Sequence, residues 1–398
     1  MIPYVMRFIQ AFASEAEVDD FVSAVQAVIQ RHDILRTAVV WEGMDIPMQV
    51  VWREAPISLR TLSFTGADVT GTDTLNVDTL NVAGADDVAT RLQQQFDPRH
   101  TRMDVQRAPM LEAYKVADPK QNRWLLCFLF HHLCNDHTTL ELLVEEVMAH
   151  LAGQADQLPQ PLPFRNFVAQ AATGPGREAH LAYFREQLGD IDEPCAPFGL
   201  LERDTEQSIQ PCHIDVDERL ARGLRGQARQ RRMSAASLFH LAWGMVVRAA
   251  TGRDDVVFGT VLFGRMGGGE GTDRALGMFL NTLPLRLSLG DVTVDEALTQ
   301  THHRLMSLLD HEHTSLALAQ QCSGVTGQTP LFGSLLNYRY QGGSQQLANG
   351  VYDDVLSGGR PTIESSVIFA EENTNYPLSL AVNDIVDGGF SLIFAWRA

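Results

Sequence analysis

The run His131-His132-Leu133-Cys134-Asn135-Asp136 contains the residue types from which proton-transfer chemistry is built. A free imidazole changes protonation state near pH 6.5, so a positioned histidine can take or give a proton during a reaction. A carboxylate four residues on either orients that ring or serves the backbone of a tight loop. The spacing argues against a metal. Neighbouring residues of a strand point to opposite faces, so His131 and His132 do not converge on one ion. A zinc site needs three or four converging ligands, and no H-x-x-x-H or C-x-x-C accompanies the pair. The economical arrangement has one histidine facing a cleft and the other packed behind it. Cys134 shares the loop, but proximity is all that favours a nucleophilic thiol there, and packing is the expected role.

These side chains need rigid supports, and the flanking sequence supplies them. Trp124–Phe130 is an unbroken bulky apolar run, which predicts a buried strand. After the loop, Thr138 and Glu141 have the T-x-x-E spacing of a capping box. Leu140, Leu143, Val144, Val147 and Leu151 then share one helical face. The candidate residues therefore sit where a buried strand hands over to a helix, a junction that often borders a cleft. Leu111–Val116 is expected to pair with the strand across a turn at Asp118–Asn122. Upstream, Tyr4–Phe12 reads as a strand. Ser14 and Glu17 open a helix carrying Val18, Phe21, Val22, Val25, Val28 and Ile29 and ending near His32. Strands follow at Thr37–Trp41 and near Met48–Trp52. A tandem DTLNV-DTLNV (Asp73–Val82) is too short for a solenoid and reads as an inserted surface loop.

Gln157–Pro163 is proline-rich and breaks regular structure. The lobe boundary is placed just beyond it, at Gly174-Pro175-Gly176, giving lobes 1–175 and 176–398. The second lobe shows helices at Glu178–Leu188, Asp215–Arg232 and Val294–Leu309. Another is capped by Ser234 or Ser237. Strands are expected at Asp254–Leu262, Leu331–Tyr340, Ser379–Asn383 and Phe390–Trp396. Arg219, Arg222, Arg225 and Arg229 share a helical face, read as solvated, with docking of an acidic carrier protein as the lesser alternative. Gly267-Gly268-Gly269 lacks a following Lys-Ser/Thr, so a flexible connector is expected rather than a nucleotide loop. Both halves mix helices with strands, which implies two α/β sandwiches side by side with an active site at their interface.

Composition narrows the function classes. At 398 residues the chain is long enough for two cores. Lys+Arg total 31 against 49 Asp+Glu, a formal charge of −18, and the basic face that nucleic acid requires is not expected. No apolar stretch reaches 18 residues, so no membrane span is expected. The first residues lack a basic leader and a clean apolar segment, which disfavours a signal peptide. Five cysteines at irregular spacing fit reduced thiols in a cytoplasmic protein.

Taken in order, several motifs resemble one family. Arg31–Thr37 (RHDILRT), His131–Thr139 (HHLCNDHTT), Phe164–Gln170 (FRNFVAQ), Gly277–Arg286 (GMFLNTLPLR), His311–Gln320 (HEHTSLALAQ) and Leu335–Tyr340 (LLNYRY) resemble the motifs of nonribosomal peptide synthetase condensation domains, in the chloramphenicol acetyltransferase-like superfamily. The resemblance covers nearly the whole chain. NDHTTLELL and LFGRMGGGEG resemble the subclass that both epimerises and condenses. His137 stands where the signature has glycine, and the family's opening motif and closing helix fall outside this sequence.

The resemblance implies two acetyltransferase-like lobes with a tunnel between them. It implies amide formation between donor and acceptor thioesters carried on the phosphopantetheine of carrier proteins, with no bound cofactor and with adenylation domains as neighbours. His132 is then the candidate catalytic residue, either as a base or as a group that only positions the amine. In the epimerising subclass it would also serve as the base for the donor's α-proton. Asp136 is assigned to the site, with loop fixation through Arg265 favoured over direct catalysis. His131 packs. Asn281 either lines the tunnel or stabilises a strand crossover. Thr139 either caps the helix or touches the pantetheine arm. The alternatives are an acyltransferase using coenzyme A thioesters and a non-catalytic fragment that only docks carriers.

Overall fold

The computed structural model describes residues 5–64, 77–80, 87–98, 100–201, 212–264, 274–327, 329–341, 365–370, 376–385 and 388–396. The chain divides into two units. The first comprises Met1–Ala169, Gly268–Met278 and Ala348–Asn373; the second comprises Gln170–Gly267, Phe279–Leu347 and Thr374–Ala398.

In chain order the first part contains β1 (Val5–Phe12), α1 (Glu15–Arg31), β2 (Thr37–Val40), β3 (Met48–Val51), β4 (Leu59–Phe64) and β5 (Val77–Leu80). It continues with α2 (Val88–Gln95), β6 (Leu111–Asp118), β7 (Arg123–His131), α3 (His137–Leu151) and α4 (Phe164–Thr173). The remainder supplies α5 (Arg177–Leu188), β8 (Cys212–Asp215), α6 (Glu218–Arg231), α7 (Ala235–Thr251), β9 (Asp255–Phe263) and β10 (Leu280–Ser288). After these come α8 (Val294–Leu309), α9 (Leu316–Gln321), β11 (Ser334–Gln341), β12 (Ser365–Ala370), β13 (Leu378–Ile385) and β14 (Phe390–Trp396).

The first unit's main sheet runs β12-β1-β7-β6-β4-β5, with β6 and β7 forming the expected antiparallel hairpin. The unbroken apolar run of β7 has a direct cause: both faces of this strand are covered. Leu126, Phe128 and Phe130 enter one core with Val18, Phe21, Val25 and Ile29 of α1 and Leu140, Leu143 and Val147 of α3. Leu125, Cys127 and Leu129 enter the opposite core with Ala89 and Leu92 of α2. Ser14 caps α1 by accepting the Glu17 amide, while the Glu17 carboxylate accepts the Ala13 amide at 3.1 Å. Part of the tandem repeat is not a loop. Val77–Leu80 pairs in parallel with β4, because its alternation of β-branched residues suits a sheet edge. The other repeat residues lie outside the described residues.

The second unit's sheet runs β10-β9-β11-β13-β14-β8, mixing parallel and antiparallel pairs around a core that includes Trp243, Phe258, Leu283 and Phe390. The arginine face of α6 departs from the solvated reading. Arg219, Arg222 and Arg229 are exposed, but Arg225 donates to Asp384 Oδ1 at 2.5 Å and to the Ile385 carbonyl at 2.9 Å. Its guanidinium lies 4.3 Å from the Phe390 ring centre, so it ties α6 to the β13–β14 hairpin. Among the described residues no helix is long and apolar enough to cross a membrane. The run Gly267-Gly268-Gly269 lies outside the described residues.

Candidate active site

β7 delivers its last residue, His131, to the sheet end with its amide bonded to the Met110 carbonyl at 3.0 Å. The chain then turns. The Cys134 amide and the Asn135 side-chain Nδ2 both donate to the His131 carbonyl, at 3.2 and 3.1 Å. His132 rides on this turn, half-buried, with Nδ1 2.8 Å from the Asn135 backbone carbonyl. A carbonyl oxygen only accepts, so the neutral ring carries its proton on Nδ1. The lone pair is then on Nε2, and among the described residues Nε2 has no partner. An imidazole held in this way is set up to accept a proton.

His131 is built differently. Its Nδ1 accepts the Leu133 amide at 3.2 Å. Burial, with a smaller contribution from His132, pushes its pKa down to about 4, so the ring is neutral near pH 7.

Asp136 is the N-cap of α3. Its Oδ1 accepts the Thr139 amide at 2.8 Å and lies 2.8 Å from Thr139 Oγ1. The expected box on Thr138 and Glu141 therefore gives way to an Asp-x-x-Thr cap, and the helix starts two residues earlier, at His137. A carboxylate over the first amides of a helix is stabilised by their partial positive charge. The Thr139 hydroxyl also lies 2.8 Å from the Gly277 carbonyl and accepts the Gly277 amide at 2.9 Å. Gly277 has φ +150°, and a Cβ there would sit 2.1 Å from the Phe164 ring. Phe164 in turn donates its amide to Asp33 Oδ1 at 2.8 Å.

Four of the sequence motifs thus meet within the first unit, linked through Asp33, Phe164, Gly277 and Thr139. The far half of α3 is held as well. Glu146 Oε2 receives Arg31 Nε at 2.8 Å and lies 3.0 Å from His32 Nε2. Burial alone would raise the Glu146 pKa, but His32 and Arg31 outweigh it and hold the carboxyl below its usual range.

The structure brings His131, His132, Asp136 and Thr139 together. Asn281 belongs to the second unit, where its Nδ2 donates to the carbonyls of Glu312 and Thr314, each at 2.6 Å. Arg265 lies outside the described residues. Sequence reasoning passed over Asn135, Gly277 and Asp33. Gly277 and Asp33 stand inside quoted motifs, and Asn135 stands directly between the histidines and the aspartate.

Comparison with known proteins adds an independent line. Residues 2–398 match the family model described as Condensation domain. Malpinin synthetase of Mortierella alpina is 39% identical over 383 residues, covering 96% of this chain and 5% of that protein. Malpibaldin synthetase of the same organism is 38% identical over 390 residues, covering 96% of this chain and 7% of that protein. The chain therefore spans well under a tenth of these relatives. A four-domain nonribosomal peptide synthetase crystallised with AMP and glycine superposes with a TM-score of 0.70 at 15% identity, covering 99% of this chain and 29% of that one.

Proposed function

The chain belongs to the condensation-domain family, and from that premise we propose that it joins two thioester-bound substrates through an amide bond, with His132 as the base. The observation that carries this reading is the Asn135 carbonyl on His132 Nδ1, which leaves the Nε2 lone pair available. The acceptor amine attacks the donor carbonyl carbon and the C–S bond breaks. The proton leaves nitrogen for Nε2 and passes to the departing thiolate, so no further reactant is required. Both substrates are read as carried on phosphopantetheine arms of carrier domains, with adenylation domains loading them, in the cytoplasm. Tethering both ends supplies a large share of the acceleration, of the order of 7–11 kcal/mol. General-base catalysis supplies about 10²–10⁴-fold more.

Asp136, through the α3 cap, holds the loop; Thr139 links that cap to Gly277; His131 packs at the strand end; Asn281 braces β10 against the loop before α9. The pairing of Asp136 with Arg265 stays part of this proposal.

The test is dipeptide formation on loaded carrier proteins. H132A is expected to lower the rate about 10²–10⁴-fold while carrier binding persists. An unchanged rate would remove His132 from the chemistry. Turnover with coenzyme A thioesters and free acceptors would favour the acyltransferase reading, and carrier binding without product in the unaltered chain would favour a docking role. Epimerisation of the donor by the same ring predicts deuterium at the donor α-carbon when the reaction runs in D2O.

A further inference from the structure

Asn135 is fully closed to solvent. Its Nδ2 donates to the His131 carbonyl at 3.1 Å and lies 3.8 Å from Cys134 Sγ. Its Oδ1 is buried without a hydrogen-bond partner. Turning the amide over would set Oδ1 against the His131 carbonyl, oxygen facing oxygen, so the orientation is determined. Buried polar atoms are nearly always paired, and an exception asks for a cause. A leucine of similar size would remove the orphaned oxygen. What it could not reproduce is the bond from residue 135 back to residue 131 across the turn that carries His132. That bond holds the Asn135 carbonyl 2.8 Å from His132 Nδ1.

We propose that Asn135 is a positioning residue whose side-chain amide locks this turn, so that its own carbonyl keeps His132 in the tautomer with an open Nε2. The proposal rests on His132 being the base, but the tautomer can be read without any turnover. A packing role for Asn135 would differ in its effect on the ring: leucine would remove the orphaned oxygen and leave the His132 tautomer as it is.

The experiment labels the histidines of the 398-residue chain with 15N, assigns His132 by the signal lost in H132A, and compares N135L and N135S with the unaltered chain. The expected spectrum of the unaltered chain is a neutral ring protonated on Nδ1. In N135L and N135S the ring is expected to divide between both tautomers. Turnover on loaded carriers should fall about 10–100-fold, the range for residues that orient a functional histidine, with the acceptor KM unchanged. N135L should melt no lower than the unaltered chain. Protonation on Nε2 in the unaltered chain overturns the proposal whether or not the variants fold. So does an intact Nδ1 tautomer in either folded variant, or undiminished turnover there while H132A is impaired. Loss of the tautomer together with H132A of normal activity would leave the ring's positioning standing and sink only its role as base.

Discussion

Thr139 has one hydroxyl proton and two acceptors for it, Asp136 Oδ1 and the Gly277 carbonyl, while its oxygen takes the Gly277 amide. Replacing it with valine keeps the shape but leaves the Gly277 amide and carbonyl without this hydroxyl in a buried place, while Asp136 Oδ1 keeps only its bond to the residue 139 amide of the two it makes here. T139V is expected to cost about 1–3 kcal/mol, and T139S to restore most of it, measured by urea unfolding. G277A should be worse than T139V, because its Cβ collides with the Phe164 ring at a backbone angle that side chains avoid. The residues with visible chemistry could be read from the sequence: the His-x-x-x-Asp spacing led directly to His132 and Asp136. Asn135 was not, because a bond from a side chain to a carbonyl four residues back leaves no periodic trace. The Gly277–Phe164 contact was equally silent, since its partners are far apart in the chain and nothing local requires the glycine.

At the level of elements, strand and helix types were well marked wherever both faces or one clear stripe are buried, as in β7 and α1. Charged faces were read less well. The four arginines of α6 share a spacing, yet only the packed hairpin reveals that Arg225 faces Asp384, which is nearly closed to solvent. R225A would leave that carboxylate buried without its cation, and a loss of about 3 kcal/mol is expected in chemical denaturation. R222A, on the exposed side of the same helix, should stay within about 0.5 kcal/mol of the unaltered chain. Likewise α3 is held at its start by its own cap and further along by Glu146. Because the folded Glu146 pKa is depressed, its contribution is present above 4.5 and disappears as pH falls below that value.

Across the molecule, acid acts through histidine before it reaches the carboxylates. His240 donates from Nδ1 to the Ala236 carbonyl and accepts the Thr260 hydroxyl on Nε2, and burial pushes its pKa down to about 4, as it does for His131. The unfolded chain binds these protons near 6.5, more readily than the folded one. Stability is therefore undiminished above about pH 6.5 and declines as pH falls from there toward 4. The melting temperature is expected to be lower at pH 5 than at pH 7.5, and H240Q should flatten part of that slope. A melting temperature that does not change over this range would mean that the rings are not held neutral.

Strand β1 lies between β7 and β12, and β12 is made about 350 residues after it. During synthesis one edge of β1 waits for this partner until about 350 further residues have been made, roughly 20–70 s at ordinary elongation rates. Through that interval its amides and carbonyls form a template for foreign strands. Expression at high rate should thus aggregate the nascent chain through this edge, and a chaperone that shields extended segments should raise the soluble yield more than slower cooling or added salt would.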